Sequence, residues 1–217
     1  MQSITRNCLI VFDLKIQSAP HNAVNFSEEN SISLTNVSKF GTRARALYQF
    51  NRPTNLRAGS PISSALFTLT FRTGAGISPS ELQFVPVSEK RVTVDATWDK
   101  YDGVSAWALA GGDYSSEIGS VHEEEAGSGN ATAKTYDITA VIERAIALDP
   151  NGQFINIIVK WKNELESESV ILESYPDNGS APDAESPTLE LTFETGPTTH
   201  GTGGSITLAP AVLGLRS

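Results

Sequence analysis

The chain alternates short apolar runs with proline and glycine breaks, and that spacing constrains its fold more than any other feature. In Leu66-Phe67-Thr68-Leu69-Thr70-Phe71, threonines fall between apolar residues, as a half-buried strand requires. Similar runs occupy residues 8–16, 31–35, 44–50, 62–72, 82–87, 154–161, 170–174 and 189–193. Pro53, Pro61, Pro79, Pro176, Pro182 and Pro187 lie between them, where a missing N–H costs least. About eight strands separated by turn signals predict an all-β fold, a single β-sandwich or jelly roll. The nearly unbroken run Phe154-Ile155-Asn156-Ile157-Ile158-Val159 reads as a central strand.

One stretch has helical spacing instead. Residues 139–148 set Val141, Ile142, Ala145, Ile146 and Leu148 on one side. Asp137 or Thr139 is expected to cap the helix, and Asp149-Pro150-Asn151-Gly152 to stop it. The sandwich is expected to span residues 1–194. Residues 195–205 are Gly- and Thr-rich and read as a linker. Residues 206–217 then form an apolar terminal segment in which Ile206, Leu208, Val212, Leu213 and Leu215 are candidates for docking on a partner.

Charge is unevenly placed. The net charge of −9 comes from 25 acids against 16 lysines and arginines. That balance argues against a nucleic-acid clamp, which needs a basic stripe to neutralise phosphates. Between Glu29 and Glu81 there is no acid, yet Lys39, Arg43, Arg45, Arg52, Arg57 and Arg72 occur there. From 163 to 215 the pattern reverses: there is no Lys or Arg, but Glu164, Glu166, Glu168, Glu173, Asp177, Asp183, Glu185, Glu190 and Glu194 occur. The two segments are either cross-strand neighbours within one domain or opposite patches that dock copies and partners.

Chemistry-bearing patterns are sparse. Cys8 is the only cysteine, which excludes an intrachain disulfide and a cysteine-based zinc site. No run approaches the ~20 apolar residues of a helical membrane span. The N-terminal apolar run is interrupted by Asp13 and Lys15 and does not read as a signal peptide. His21, His122 and His200 each lack a second histidine nearby, and no G-x-S-x-G elbow is present. Glu123-Glu124-Glu125 beside His122 reads as a solvated loop, because calcium loops space their ligands through alternate positions. No catalytic residue, metal or cofactor is expected.

The most distinctive segment runs from Ala96 to Tyr114 and carries Trp98, Tyr101, Trp107 and Tyr114 among Asp and Gly residues. Trp98 is expected in the core. Tyr101, Trp107 and Tyr114 are either further core aromatics or a platform on which sugar rings stack.

Ala96-Thr97-Trp98-x-x-Tyr101-Asp102-Gly103, followed by Trp107 and Gly111-Gly112-Asp113-Tyr114, resembles the central motif of the DNRLRE domain family. Those domains are β-sandwiches related to carbohydrate-binding modules. The Arg45–Phe50 strand, residues 62–69, Tyr136-Asp137-Ile138-Thr139, Glu173-Ser174 and Pro187-Thr188-Leu189-Glu190-Leu191 follow the family's order. The resemblance spans roughly residues 8 to 194. Where the family often has a Trp and an acid before the Ala-Thr-Trp step, this chain has Arg91-Val92-Thr93-Val94. Stand-alone domains of this kind look like bacteriophage virion proteins. The expectation is therefore a non-enzymatic accessory protein of a capsid or tail, found in the virion and assembled in the host cytoplasm. Its expected partners are capsid or tail proteins, copies of itself and, as the alternative function, a polysaccharide, with neither nucleic acid nor membrane among them.

Overall fold

The strand Ala44–Asn51 (β4) shows how the sequence builds the fold, because its alternation has two buried faces. Ala46, Tyr48 and Phe50 point one way, while Arg45, Leu47 and Gln49 point the other, and all six are buried. A strand so placed needs a layer on each side. In the computed structural model the described residues are 2–18, 20–21, 23–25, 32–35, 42–75, 80–88, 91–114, 120–124, 132–164, 171–174 and 186–195.

Among them are eleven strands and one helix. The strands are Gln2–Cys8 (β1), Ile10–Gln17 (β2), Ile32–Thr35 (β3), β4, Ile62–Ala75 (β5), Ser80–Pro86 (β6), Ser120–Glu124 (β7) and Thr132–Asp137 (β8). Phe154–Trp161 (β9), Ile171–Ser174 (β10) and Thr188–Thr195 (β11) complete the set, with Thr139–Leu148 (α1) between β8 and β9. All the pairings are antiparallel.

Two layers face each other. The front layer runs β1-β11-β5-β8, and the back layer runs β2-β4-β9-β6-β7. β10 and β3 join them along one side, linking the far half of β5 to β4. Phe67 of the front layer meets Tyr48, Phe50 and Phe84 of the back at centroid distances of 5.1, 5.5 and 5.9 Å. These edge-to-face contacts lie in the main core, with Leu189, Leu191 and Phe193 on one side and Ile155, Ile157 and Val159 on the other. The chain is an all-β sandwich.

Four expectations from the sequence are refined. The run 8–16 is not one strand: β1 ends at Cys8, and β2 begins at Ile10. The strand expected over 62–72 continues to Ala75. The acid run reads as a loop in the sequence, yet His122, Glu123 and Glu124 lie in β7, which pairs only with β6 among the described residues. β8 escaped notice because its sequence, TAKTYD, has a single large apolar residue. The helix spans the residues expected and buries Val141, Ile142 and Ile146. Its N-cap position is Ile138, and the Asp137 carboxylate instead accepts from the Thr139 N–H at 3.0 Å and the Thr139 hydroxyl at 2.6 Å.

Thr195, expected to begin the linker, is the last residue of β11; the rest of the linker and the docking candidates Ile206, Leu208, Val212, Leu213 and Leu215 lie outside the described residues.

Candidate functional site

The far face of the back layer carries the residue types that chemistry needs, and a cap covers it. Opposed pairs Leu47–Ile158 and Gln49–Asn156 stand on that face, with Arg45 and Lys160 at its end. Residues 91–114 fold across it and form a second apolar cluster of Val92, Ala96, Trp98, Tyr101 and Trp107 against Leu14, Leu47, Val85 and Ile158.

The cap is held by specific bonds. The Trp107 indole N–H donates to the Thr97 carbonyl at 2.9 Å, and the Gln49 amide donates to Val92 and Asn156 at 3.1 and 2.8 Å. Asp102 and Asp113 order its turns. The Asp102 carboxylate accepts from the Val104 and Ser105 N–H groups, and Asp113 from Ala108 and Leu109. These backbone donors, Ser105 first, hold the Asp102 carboxyl below its usual range. Two glycines let the cap close down on the sheet. Gly111 has φ +89°, and a Cβ there would stand 2.6 Å from the Arg45 guanidinium and 2.7 Å from the Trp98 ring. At Gly112, with φ +109°, it would run into Ile158.

At the centre lies a buried charge cluster. The Arg45 guanidinium donates to both Glu164 oxygens at 2.6 Å and to the Gly111 carbonyl at 2.5 Å. It lies 4.6 Å from the Trp98 ring centroid and 5.2 Å from that of Tyr114. Lys160 donates to the Trp161 carbonyl at 3.0 Å and stands 4.0 Å from Glu164. Arg45, Lys160 and Glu164 are all buried. Burial, and then the Arg45 charge, lowers the Lys160 pKa, while Glu164 opposes the shift. Burial also raises that of Tyr114. The bidentate geometry fixes the position of Arg45 more than it adds stability, since desolvation offsets much of the attraction.

Of the two readings open for these aromatics, burial in the cap favours the core reading for Tyr101 and Trp107. Tyr101 and Trp107 are each 5% exposed and pack edge to face at 5.7 Å, so neither offers a ring face to a sugar. Tyr114 is half-buried over Arg45 and Lys160, apart from that pair. Trp98 is buried as expected, on the far face of the back layer.

Three features escaped the sequence reading. Arg45 and Glu164 are 119 residues apart and meet only in the fold; the sole signal was that each sits in an oppositely charged segment. An open cleft of about 710 Å³ lies between residues 51–58 and the turn 150–153. Arg52 ties its walls together by donating to the Leu56 carbonyl at 2.9 Å and the Pro150 carbonyl at 2.9 Å. The third feature is an open edge. β1 pairs only with β11 among the described residues, and Gln2 stands opposite Thr195, the last residue of β11.

Among the described residues, no group of three or more His, Cys, Asp or Glu side chains is placed to hold a metal. No protein-family model matches this chain, and no curated protein matches its sequence.

Proposed function

We propose that this chain is a non-enzymatic virion accessory protein, a capsid-decorating or tail-associated β-sandwich that attaches through its C-terminal segment. The observation that carries the reading is where the sandwich ends. β11 finishes at Thr195 opposite Gln2 of β1, a strand that pairs only with β11 among the described residues, and the linker follows directly from that strand end in sequence. An edge strand with one described partner and an apolar segment that carries no charge from 206 to 215 are the two halves of a strand-addition contact. The buried charge cluster fits a structural role, because Arg45 is held by Glu164 and in turn donates to the Gly111 carbonyl of the cap. The resemblance to stand-alone virion domains rests on the motif around Trp98, in which Trp98, Gly111 and Gly112 shape the cap. Mass spectrometry of purified phage particles tests the reading: peptides of the chain are expected at stoichiometric levels. Their absence from particles of a phage that encodes the chain overturns it.

The alternative is a polysaccharide-binding module. Tyr101 and Trp107 are removed as its platform by their burial, and the cleft beside Arg52 becomes its place, with Asn51, Asn151 and Gln153 as partners for sugar hydroxyls. Calorimetric titration with neutral and acidic polysaccharides tests it. Saturable binding abolished by N151A/Q153A supports it, and no heat at millimolar sugar sets it aside.

A further inference from the structure

We propose that the cleft between residues 51–58 and the turn 150–153 binds a phosphate group carried on a small polyhydroxylated molecule, with Arg52 and Arg57 as the cationic seat. The inference rests on the alternative reading above only for where sugar hydroxyls would lie, and it names the ligand class of that cleft. It is independent of the virion role.

The cleft is held in shape by its own bonds. The Arg52 backbone N–H donates to the Gln153 carbonyl at 2.8 Å, which joins the two walls. In one wall the Leu56 N–H closes a turn on the Pro53 carbonyl at 2.9 Å, and Leu56 itself is buried in the main core. In the other the Gly152 N–H closes a turn on the Asp149 carbonyl at 3.1 Å. The Arg52 side chain crosses between them. Its Nε donates to the Leu56 carbonyl, and its Nη1 to the carbonyls of Pro150 at 2.9 Å and Asp149 at 3.2 Å. A guanidinium fixed in this way has already lost the freedom that a ligand would otherwise have to remove.

Its charge is unlike that of the chain. The net charge is −9, yet Arg52 and Arg57 line the cleft and no Asp or Glu is among its described lining residues. Both arginines come from the stretch between Glu29 and Glu81 that holds no acid. Asp149 adjoins the turn, with its carboxylate against Gly152, and its charge opposes the lowering of the Arg52 pKa by burial. Donors are left over. Arg52 spends Nε and Nη1 on backbone carbonyls and makes no hydrogen bond through Nη2 with a described residue. Arg57 is exposed, and its side chain makes no hydrogen bond or ion pair with a described residue.

Two cations with unspent donors select the ligand. A carboxylate brings one charge and two oxygens, which a single arginine fork satisfies. A phosphate monoester brings three terminal oxygens and up to two charges, enough for Arg57 and the Nη2 of Arg52 together. The remaining lining selects what carries the phosphate. A cleft of about 710 Å³ suits a small molecule and is far larger than one phosphate ion. Asn51, Asn151 and Gln153 supply both donors and acceptors, as hydroxyl groups require. No aromatic side chain is among the described lining residues, so no nucleobase would be stacked there.

Calorimetric titration of the full chain with glucose 6-phosphate, glucose, glucuronate and inorganic phosphate tests the proposal. Glucose 6-phosphate is expected to bind saturably at millimolar concentration or below, at least tenfold more tightly than glucose or glucuronate, and more weakly as salt is raised. R57A is expected to weaken that binding at least tenfold with an unchanged urea midpoint, because Arg57 is exposed. R57Q, which keeps much of the side chain's reach without its charge, is expected to do the same, and R57K to retain part of the affinity. No heat with millimolar glucose 6-phosphate overturns the proposal, as does binding that R57A and R57Q leave unchanged. Glucuronate bound as tightly as glucose 6-phosphate overturns the phosphate assignment. Inorganic phosphate bound as tightly supports the cationic seat and overturns the polyhydroxylated carrier. Polysaccharide binding that is lost in N151A/Q153A, with no response to glucose 6-phosphate, overturns this proposal and keeps the module reading. The reverse result keeps the phosphate seat and sets the module reading aside.

Discussion

The two layers of the sandwich are treated in opposite ways. The back layer is covered on both faces: Tyr48, Phe50, Ile155 and Ile157 enter the main core, while Leu47, Gln49, Asn156 and Ile158 lie beneath the cap. The front layer buries Phe67, Leu69, Leu191 and Phe193 on its core face, while several described residues of its other face are at least partly exposed. Its outer side carries Thr5, Thr192, Ser64, Thr68 and Thr135, and its edge strand is mostly exposed. Antiparallel sheets commonly leave one face in water, so the front layer is the ordinary case. The back layer is the exception, made possible by residues 91–114. One layer is thus built to hold a fixed arrangement of charges, and the other offers hydroxyls and an edge.

The sharpest way to break this contrast is to strip one partner from the buried cluster. R45A leaves Glu164 buried beside Lys160 without its bidentate partner and is expected to cost about 3–5 kcal/mol in urea unfolding. The double substitution R45M/E164L is expected to recover much of that loss, since an apolar pair needs no desolvation. Next in size are the cap contacts. G111A forces a side chain into φ +89° against Arg45 and Trp98, at an expected cost of about 1–3 kcal/mol. W107F removes the indole donor from the buried Thr97 carbonyl and is expected to cost about 1–3 kcal/mol.

Titration separates the layers as well. Lys160 has its pKa lowered on folding, so the unfolded chain holds this proton more tightly, and stability from this group rises with pH between the lowered value and 10.5. The stability of the parent relative to K160M is therefore expected to increase with pH across that window, measured by urea unfolding. In the front layer, burial pushes the Cys8 thiol up to about 12 from an ordinary value of 9.0. Its contribution is complete below 9.0 and is lost as pH rises towards 12. At pH 8 a thiol reagent is expected to label Cys8 only as fast as β1 opens, and promptly in the unfolded chain. The smallest effect belongs to the outer face of the front layer. T68V, which removes the 2.8 Å bond to Thr135 at the surface, is expected to change stability by about 0.5 kcal/mol or less. A loss as large as that of W107F there would erase the distinction.

Much of this was legible in the chain, and what was hidden has a common cause. Strands β4, β5, β9 and β11 announce themselves by apolar alternation, and α1 by its 3.6-residue spacing. β1, QSITRNC, alternates weakly because it lies on an edge with little to bury. β7, SVHEE, likewise resembles a polar loop. The aromatics of the cap were visible, but whether they face water or a sheet depends on what lies beneath them. That partner comes from β2, β4, β6 and β9, whose outward rows are distant in sequence.

The sequence alone determined the all-β class, the helix α1 and the uneven distribution of charge, since periodicity and composition are local properties that survive in any fold the chain adopts. Only the tertiary structure decided that Trp98, Tyr101 and Trp107 are buried in a cap, and that Arg45 and Glu164 share one buried site. It also decided that β1 pairs only with β11 among the described residues. The physical reason is the same in each case. Burial, ion pairing and edge exposure are relations between segments far apart in the chain, and they come into being only when the layers close.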